Sequence, residues 1–423
     1  MKNRLFLTIV LYATMSTVSA QFDSLFLDQS LRIDYVHSGT DTTEWYALEA
    51  LIREPYWGGS KLNLVDTFMF GNYYVEVFDK EENLIYSRGY SSLFAEWQTT
   101  NEAKILSRNF FETVLIPFPK KKVKVVISSR NRNGVFLPQF SLNINPKDYF
   151  IKPAPKKEML VHDVLISNKP EKAVDIVILP DGYREEEMDK FRADCEKFRE
   201  DLFRFEPFAS NKQHFNIRAV LAPSKESGIA IPAKDFWPET AISSSFYTFD
   251  SERYCMTYDH KTLRDLAGQV PYDQIYILAN TEKYGGGGIF NFYCLSGSSN
   301  RLFAEIIVHE FGHGFAGLGD EYYDSSTAYN DFYNLETEPW EPNITTLVNF
   351  EKKWQHLIPA ETPIPTPDEP QWDNQTGVFE GGGYSAKGIF RPSRDCLMHT
   401  FKGKVFCAAC SEAIQKMINF YID

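Results

Sequence analysis

The chain has 423 residues, with 44 Lys and Arg against 57 Asp and Glu, for a formal charge of −13. An acidic chain without a basic run longer than three residues argues against nucleic acid as a partner. Aromatic residues make up 15% of it, too large an apolar load for a disordered chain, and at ~100–200 residues per domain the length predicts two folded domains.

Lys2 and Arg4 introduce the apolar run Leu5–Ala13, and Val18-Ser19-Ala20 has the small-residue pattern of a signal peptidase site. Residues 1–20 are therefore predicted to be a removed secretory signal. The expected location is exported: periplasmic, cell-surface or secreted. The mature chain contains no apolar stretch long enough to span a bilayer.

Residues 21–145 read as a β domain. Tyr73–Phe78 and Leu84–Tyr86 flank the turn residues 79–83 as a hairpin, and alternation at Val123, Val125, Ile127 and at Phe140, Leu142, Ile144 marks further strands. An antiparallel β-sandwich is the expected architecture. Pro146, Pro153 and Pro155 among lysines mark 146–159 as a linker.

Residues 160–423 read as α+β. Residues 174–179 form an apolar strand. Glu185-Glu186-Glu187 opens a helix with Met188, Phe191, Cys195, Phe198, Leu202 and Phe205 on one face. Strands follow at 215–221 and 274–278. After the glycines 285–288, residues 289–293 are expected to form a short edge strand, and a helix begins near Asn300.

That helix carries His309-Glu310-Phe311-Gly312-His313. Residues four apart lie on one helix face, so both imidazoles can ligate one Zn²⁺, with Glu310 placed as general base. A catalytic zinc needs a third protein ligand and an open position. The metzincin spacing would put a histidine where Gly319 stands, but Gly317-Leu-Gly-Asp320 repeats the glycine-turn-ligand unit one residue later. Asp320 is the expected third ligand and Glu321 the alternative. Asp395-Cys-Leu-Met398-His399 resembles the Met-turn beneath the zinc of metzincins, with Met398 as the apolar floor and His399 outside the ligand set.

The block HEFGHGFAGLGDEYY (309–323), with GGGGIFNFYC (285–294) before it and residues 379–410 after it, resembles the IgA peptidase family of zinc metallopeptidases, as does ILPDGY (178–183). The preceding β segment resembles the N-terminal domain found with this peptidase in Bacteroides-type members. The resemblance implies a metzincin-like zincin domain over 160–423, with Zn²⁺ on His309 and His313 and Glu310 as acid/base. It implies a protein or glycoprotein substrate, without fixing which one. The competing expectation is an exported glycan- or protein-binding protein with an inactive zincin domain.

By analogy with zincins, Gly287, Gly288 and Ile289 are expected in the edge strand that pairs with substrate. Tyr384 is a candidate oxyanion donor or a structural turn tyrosine. Arg391 and Arg394 are expected to pair with neighbouring acids. Cys396, Cys407 and Cys410 suggest a disulfide tying the Met-turn to the last helix, Cys255 and Cys294 suggest another, and Cys195 reads as a buried free thiol.

Overall fold

The computed structural model describes residues 21–155, 159–323 and 332–422. The predicted signal segment lies outside them. The fold is α+β, with an antiparallel β-rich N-terminal region. Strands β1 (Phe26–Gly39), β2 (Glu44–Glu54), β3 (Tyr73–Phe78), β4 (Leu84–Tyr90), β5 (Arg108–Pro119), β6 (Val123–Arg130), β7 (Phe136–Ile144) and β8 (Lys152–Pro153) build two sheets, ordered β5-β1-β2-β8 and β4-β3-β6-β7. Ile33, Tyr35, Val114 and Ile116 of the first sheet meet Val75, Val77, Val125 and Ile127 of the second in one core. The strand alternation that marked these segments places those side chains inward.

The linker is not wholly irregular. Lys152–Pro153 forms β8, which pairs with Ile52 and Arg53 of β2. Proline fits there because an edge position leaves its missing N–H unused.

The second region is a six-stranded mixed sheet ordered β13-β14-β12-β10-β11-β9. Its strands are β9 (Leu160–Ile166), β10 (Val174–Asp181), β11 (Phe215–Leu221), β12 (Gln274–Ala279), β13 (Gly286–Gly288) and β14 (Tyr293–Gly297). Every residue of β10 and β12 is buried, which explains their mostly apolar runs. The helix Met188–Leu202 buries Met188, Phe191, Cys195, Phe198 and Leu202, while Phe205 packs just beyond its end. A short helix, His260–Ala267, has no counterpart in the sequence reading; it starts at Asp259, whose side chain accepts the Thr262 N–H at 3.1 Å. The chain ends in the helix Ala408–Ile422.

The edge strand falls earlier than expected. β13 is Gly286–Gly288, and Ile289, predicted to lie in the edge strand, opens the turn into β14, with its N–H donating to the Tyr293 carbonyl at 2.9 Å. Its side chain is buried, and that burial draws it into the core rather than along the edge.

The two regions share buried surface. Leu93, Phe94, Trp97 and Phe110 of the first pack in one cluster with Leu263, Tyr272 and Phe292 of the second. Arg32 reaches Asp265 at 2.7 Å, and the Ser91 N–H and the Gly89 carbonyl bond Phe290 and Asn291 in the turn after β13. The sandwich therefore braces the edge strand of the second region.

Candidate metal centre and active site

Phe303–Ala316 is the helix that carries the metal motif. Phe303, Ile306, Ile307, Phe311 and Phe315 bury one face, leaving His309, Glu310 and His313 facing a cleft. Gly314 lets β14 approach: a Cβ there would lie 2.2 Å from the Cys294 sulfur. Gly317 ends the helix with φ 66°, a left-handed conformation suited to glycine, and turns the chain back so that Asp320 faces the two histidines.

Three donor atoms converge. His309 Nε2 and His313 Nε2 are 3.2 Å apart, and Asp320 Oδ1 lies 3.2 Å from the first and 3.3 Å from the second. Ligands at ~2.0–2.1 Å around a tetrahedral ion are themselves separated by about 3.3 Å, so the triangle has the size of one face of a zinc tetrahedron. The Nδ1 of His309 is 2.9 Å from the Leu397 carbonyl, and that of His313 is 2.5 Å from the Leu318 carbonyl. Each Nδ1–H is thereby committed to a backbone oxygen, leaving the Nε2 lone pairs directed at a common point. Asp320 Oδ1 is buried and accepts no hydrogen bond.

Electrostatics agree with a cation site. Burial alone would depress the His313 imidazole, but the adjacent Asp320 carboxylate outweighs this and lifts its pKa to about 9. Burial would raise the Asp320 carboxyl, yet His313 and His309 hold it well below the usual range. Burial raises Glu310, and the two imidazoles only partly offset it. A glutamate raised in this way beside the donor triangle suits proton uptake and return.

The remaining predicted residues divide clearly. Glu321 points away from the histidines: its Oε1 takes a hydrogen bond from Asn343 Nδ2 at 2.9 Å and lies 3.1 Å from Cys410 Sγ. Met398 is fully buried under the helix, with its sulfur 3.0 Å from where a Cβ on Gly312 would sit. Tyr384 adopts φ 64°, and its hydroxyl donates to Asp320 Oδ2 at 2.5 Å. His399 lines the cleft, with Nδ1 on the Arg394 carbonyl at 2.9 Å. Arg394 pairs with Asp368 and Asp373, whereas Arg391 donates to the Glu380 and Gly381 carbonyls at 2.8 and 2.7 Å. All six cysteines are free, which corrects the expected disulfides; Cys396 and Cys410 sulfurs are 3.8 Å apart, far beyond the ~2.05 Å of a bond. Cys294 instead donates to the Glu310 carbonyl at 3.2 Å.

The cleft has a volume of about 1240 Å³ and is walled by both regions. Sandwich residues Glu96, Lys104, Arg130 and Arg132 face it, together with Arg253, Tyr284 and Tyr322 of the second region. None of these was singled out from the sequence, because no spacing rule ties them to the motif. Arg253 lies over the Tyr322 ring at 5.7 Å.

The outer edge of β13 is short. Gly286 already bonds the segment beside it, donating to the Arg253 carbonyl and accepting from the Cys255 N–H, both at 3.2 Å. By the antiparallel alternation with β14, Gly287 faces inward and Gly288 presents its N–H and C=O outward. Gly288 lies against the metal helix: a Cβ on it would be 2.3 Å from the Glu310 carbonyl.

Residues 163–375 and 368–418 match the family model of IgA Peptidase M64, and residues 21–141 match that of the Peptidase M64 N-terminus. The chain belongs to the IgA peptidase M64 family. It is therefore a metallopeptidase, a hydrolase acting on proteins. No curated protein matches the chain. Among the described residues of this peptidase, no helix is long and apolar enough to cross a membrane.

Proposed function

We propose that this peptidase is an exported, zinc-dependent endopeptidase that cleaves extended segments of protein or glycoprotein substrates. The observation that carries the zinc assignment is the 3.2–3.3 Å donor triangle of His309, His313 and Asp320. Two imidazoles and one carboxylate make a borderline donor set typical of catalytic zinc, with a fourth position left for water or substrate. Export rests on the signal-like residues 1–20.

When bound, zinc supplies Lewis acidity that polarises the scissile carbonyl and acidifies a water. Glu310 accepts the proton of the attacking water and returns it to the leaving nitrogen as the peptide bond breaks. Gly288 offers one N–H and one C=O to an extended substrate, holding it along the metal helix. Tyr384 keeps Asp320 oriented through its hydroxyl.

The test pairs metal analysis with cleavage. Purified chain should contain zinc and cleave casein or mucin; chelation should abolish cleavage and added zinc restore it. Glu310→Gln should retain zinc while losing at least ~100-fold in rate. Cleavage that persists unchanged in that variant would refute the assignment.

A further inference from the structure

Behind the first site lies a second convergence of metal-binding atoms. Glu321, Cys396, Cys407 and Cys410 each offer one ligand atom, and all four atoms fall within 4.8 Å of one another. Glu321, Cys396 and Cys410 are fully buried. Glu321 Oε1 lies among the thiols, and Oε2 of the same carboxylate is buried without a hydrogen-bond partner. We propose that these four residues hold a second, structural zinc ion.

The distances match the chemistry. With Zn–S at ~2.3 Å, two sulfurs of a tetrahedral site are about 3.8 Å apart, and the Cys396 and Cys410 sulfurs are 3.8 Å apart. A sulfur and a carboxylate oxygen on one tetrahedral zinc are separated by about 3.5 Å, and Glu321 Oε1 lies 3.1 Å from Cys410 Sγ and 3.8 Å from Cys407 Sγ. Four protein ligands close the site, as structural zinc requires and a catalytic ion does not. The surroundings suit thiolates. Cys396 Sγ accepts the N–H groups of Met398 at 3.5 Å and Cys407 at 3.3 Å, Cys407 Sγ accepts that of Cys410 at 3.5 Å, and Asn343 donates to Glu321. Cys407 and Cys410 stand at the N-terminus of the helix Ala408–Ile422, whose dipole favours negative charge.

The site would join three segments of the chain. Cys396 opens the Met-turn, whose Leu397 carbonyl holds His309; Glu321 follows Asp320, and its N–H donates to the Met398 carbonyl at 2.8 Å. The bound ion would tie the third catalytic ligand, the floor of the site and the last helix to one point.

The experiment uses the full mature chain and its His309→Ala/His313→Ala variant, each loaded with zinc or cobalt(II) alone. The first site contains no sulfur, so a near-ultraviolet thiolate-to-cobalt charge-transfer band reports the second site only. The wild type should bind two zinc ions per chain and the double-histidine variant one, with the cobalt band equal in both. Cys407→Ser should lose the band. Should that variant not fold, the wild-type cobalt band carries the test, and alkylation of the denatured, chelated wild type without reductant should find all six thiols reactive. A bridge among Cys396, Cys407 and Cys410, no zinc in the double-histidine variant, or no thiolate band would each overturn the proposal; a single zinc in the wild type with the band intact would overturn the histidine site instead.

Discussion

Met398 presses on the metal helix at Gly312, and substitution there has a calculable signature. A Cβ on Gly312 would stand 3.0 Å from Met398 Sδ, 3.2 Å from Leu318 Cδ1 and 3.6 Å from Phe406. Gly312→Ala gains about 1 kcal/mol of helix propensity but overpacks the contact, at ~1–3 kcal/mol. The single variant should be neutral to ~2 kcal/mol destabilised. Met398→Ala empties a fully buried position and should lose ~2–5 kcal/mol. In that background the new methyl enters the vacated space, so Gly312→Ala should stabilise by about 2 kcal/mol, from propensity and one more buried carbon. The two effects of Gly312→Ala thus differ by roughly 2–4 kcal/mol. Urea unfolding of the chelated proteins measures all four corners of the cycle without a metal contribution. If Gly312→Ala changes stability equally in both backgrounds, within ~0.5 kcal/mol, Met398 is not the floor of this helix.

Other outcomes follow from the same geometry. Asp320→Ala removes one corner of the donor triangle and should lower zinc affinity far more than Glu321→Ala lowers occupancy of the histidine site; competitive chelator titration reads both. Tyr384→Phe should weaken zinc binding ~10–100-fold through the lost bond to Asp320; a fall in kcat with unchanged zinc affinity would assign the hydroxyl to the reaction instead. Zinc at 100 times its Kd should raise stability by about 2.7 kcal/mol, seen as a Tm that moves with zinc concentration. Burial lowers the His260 pKa from 6.5 to about 4, and both ring nitrogens lack partners. Because the folded value lies below the unfolded one, its contribution is full above pH 6.5 and is lost as pH falls toward 4, at a cost of about 3 kcal/mol. His260→Leu should flatten that acid limb in urea midpoints taken from pH 7 to 4.

The histidine pair was legible because helix periodicity converts spacing four directly into shared geometry. Asp320 was legible only through the glycine turn, whose left-handed Gly317 fixes where the chain returns. The strands of the sandwich and the runs at β10 and β12 followed from alternation and burial. The boundary of β13 did not, because glycine carries no side-chain pattern and Ile289 looks like strand while serving the core. Arg253 and the sandwich residues of the cleft reach it through tertiary packing alone. Cys396, Cys407 and Cys410 were read from spacing as disulfide partners, and only their placement around Glu321 brings them to a common centre.

The cleft wall built by the sandwich separates two jobs. The glycines of β13 leave no room for side chains against the helix, so that edge has only backbone groups to offer. The sandwich region lines the same cleft with Glu96, Lys104, Arg130 and Arg132, away in sequence from the histidines, and its side chains are the ones expected to discriminate among substrates. Exchanging those side chains is expected to change which sequences are cleaved while leaving the metal donors in place. Deleting the sandwich would loosen the turn after β13 as well, so the second domain is not a free-standing cutting module.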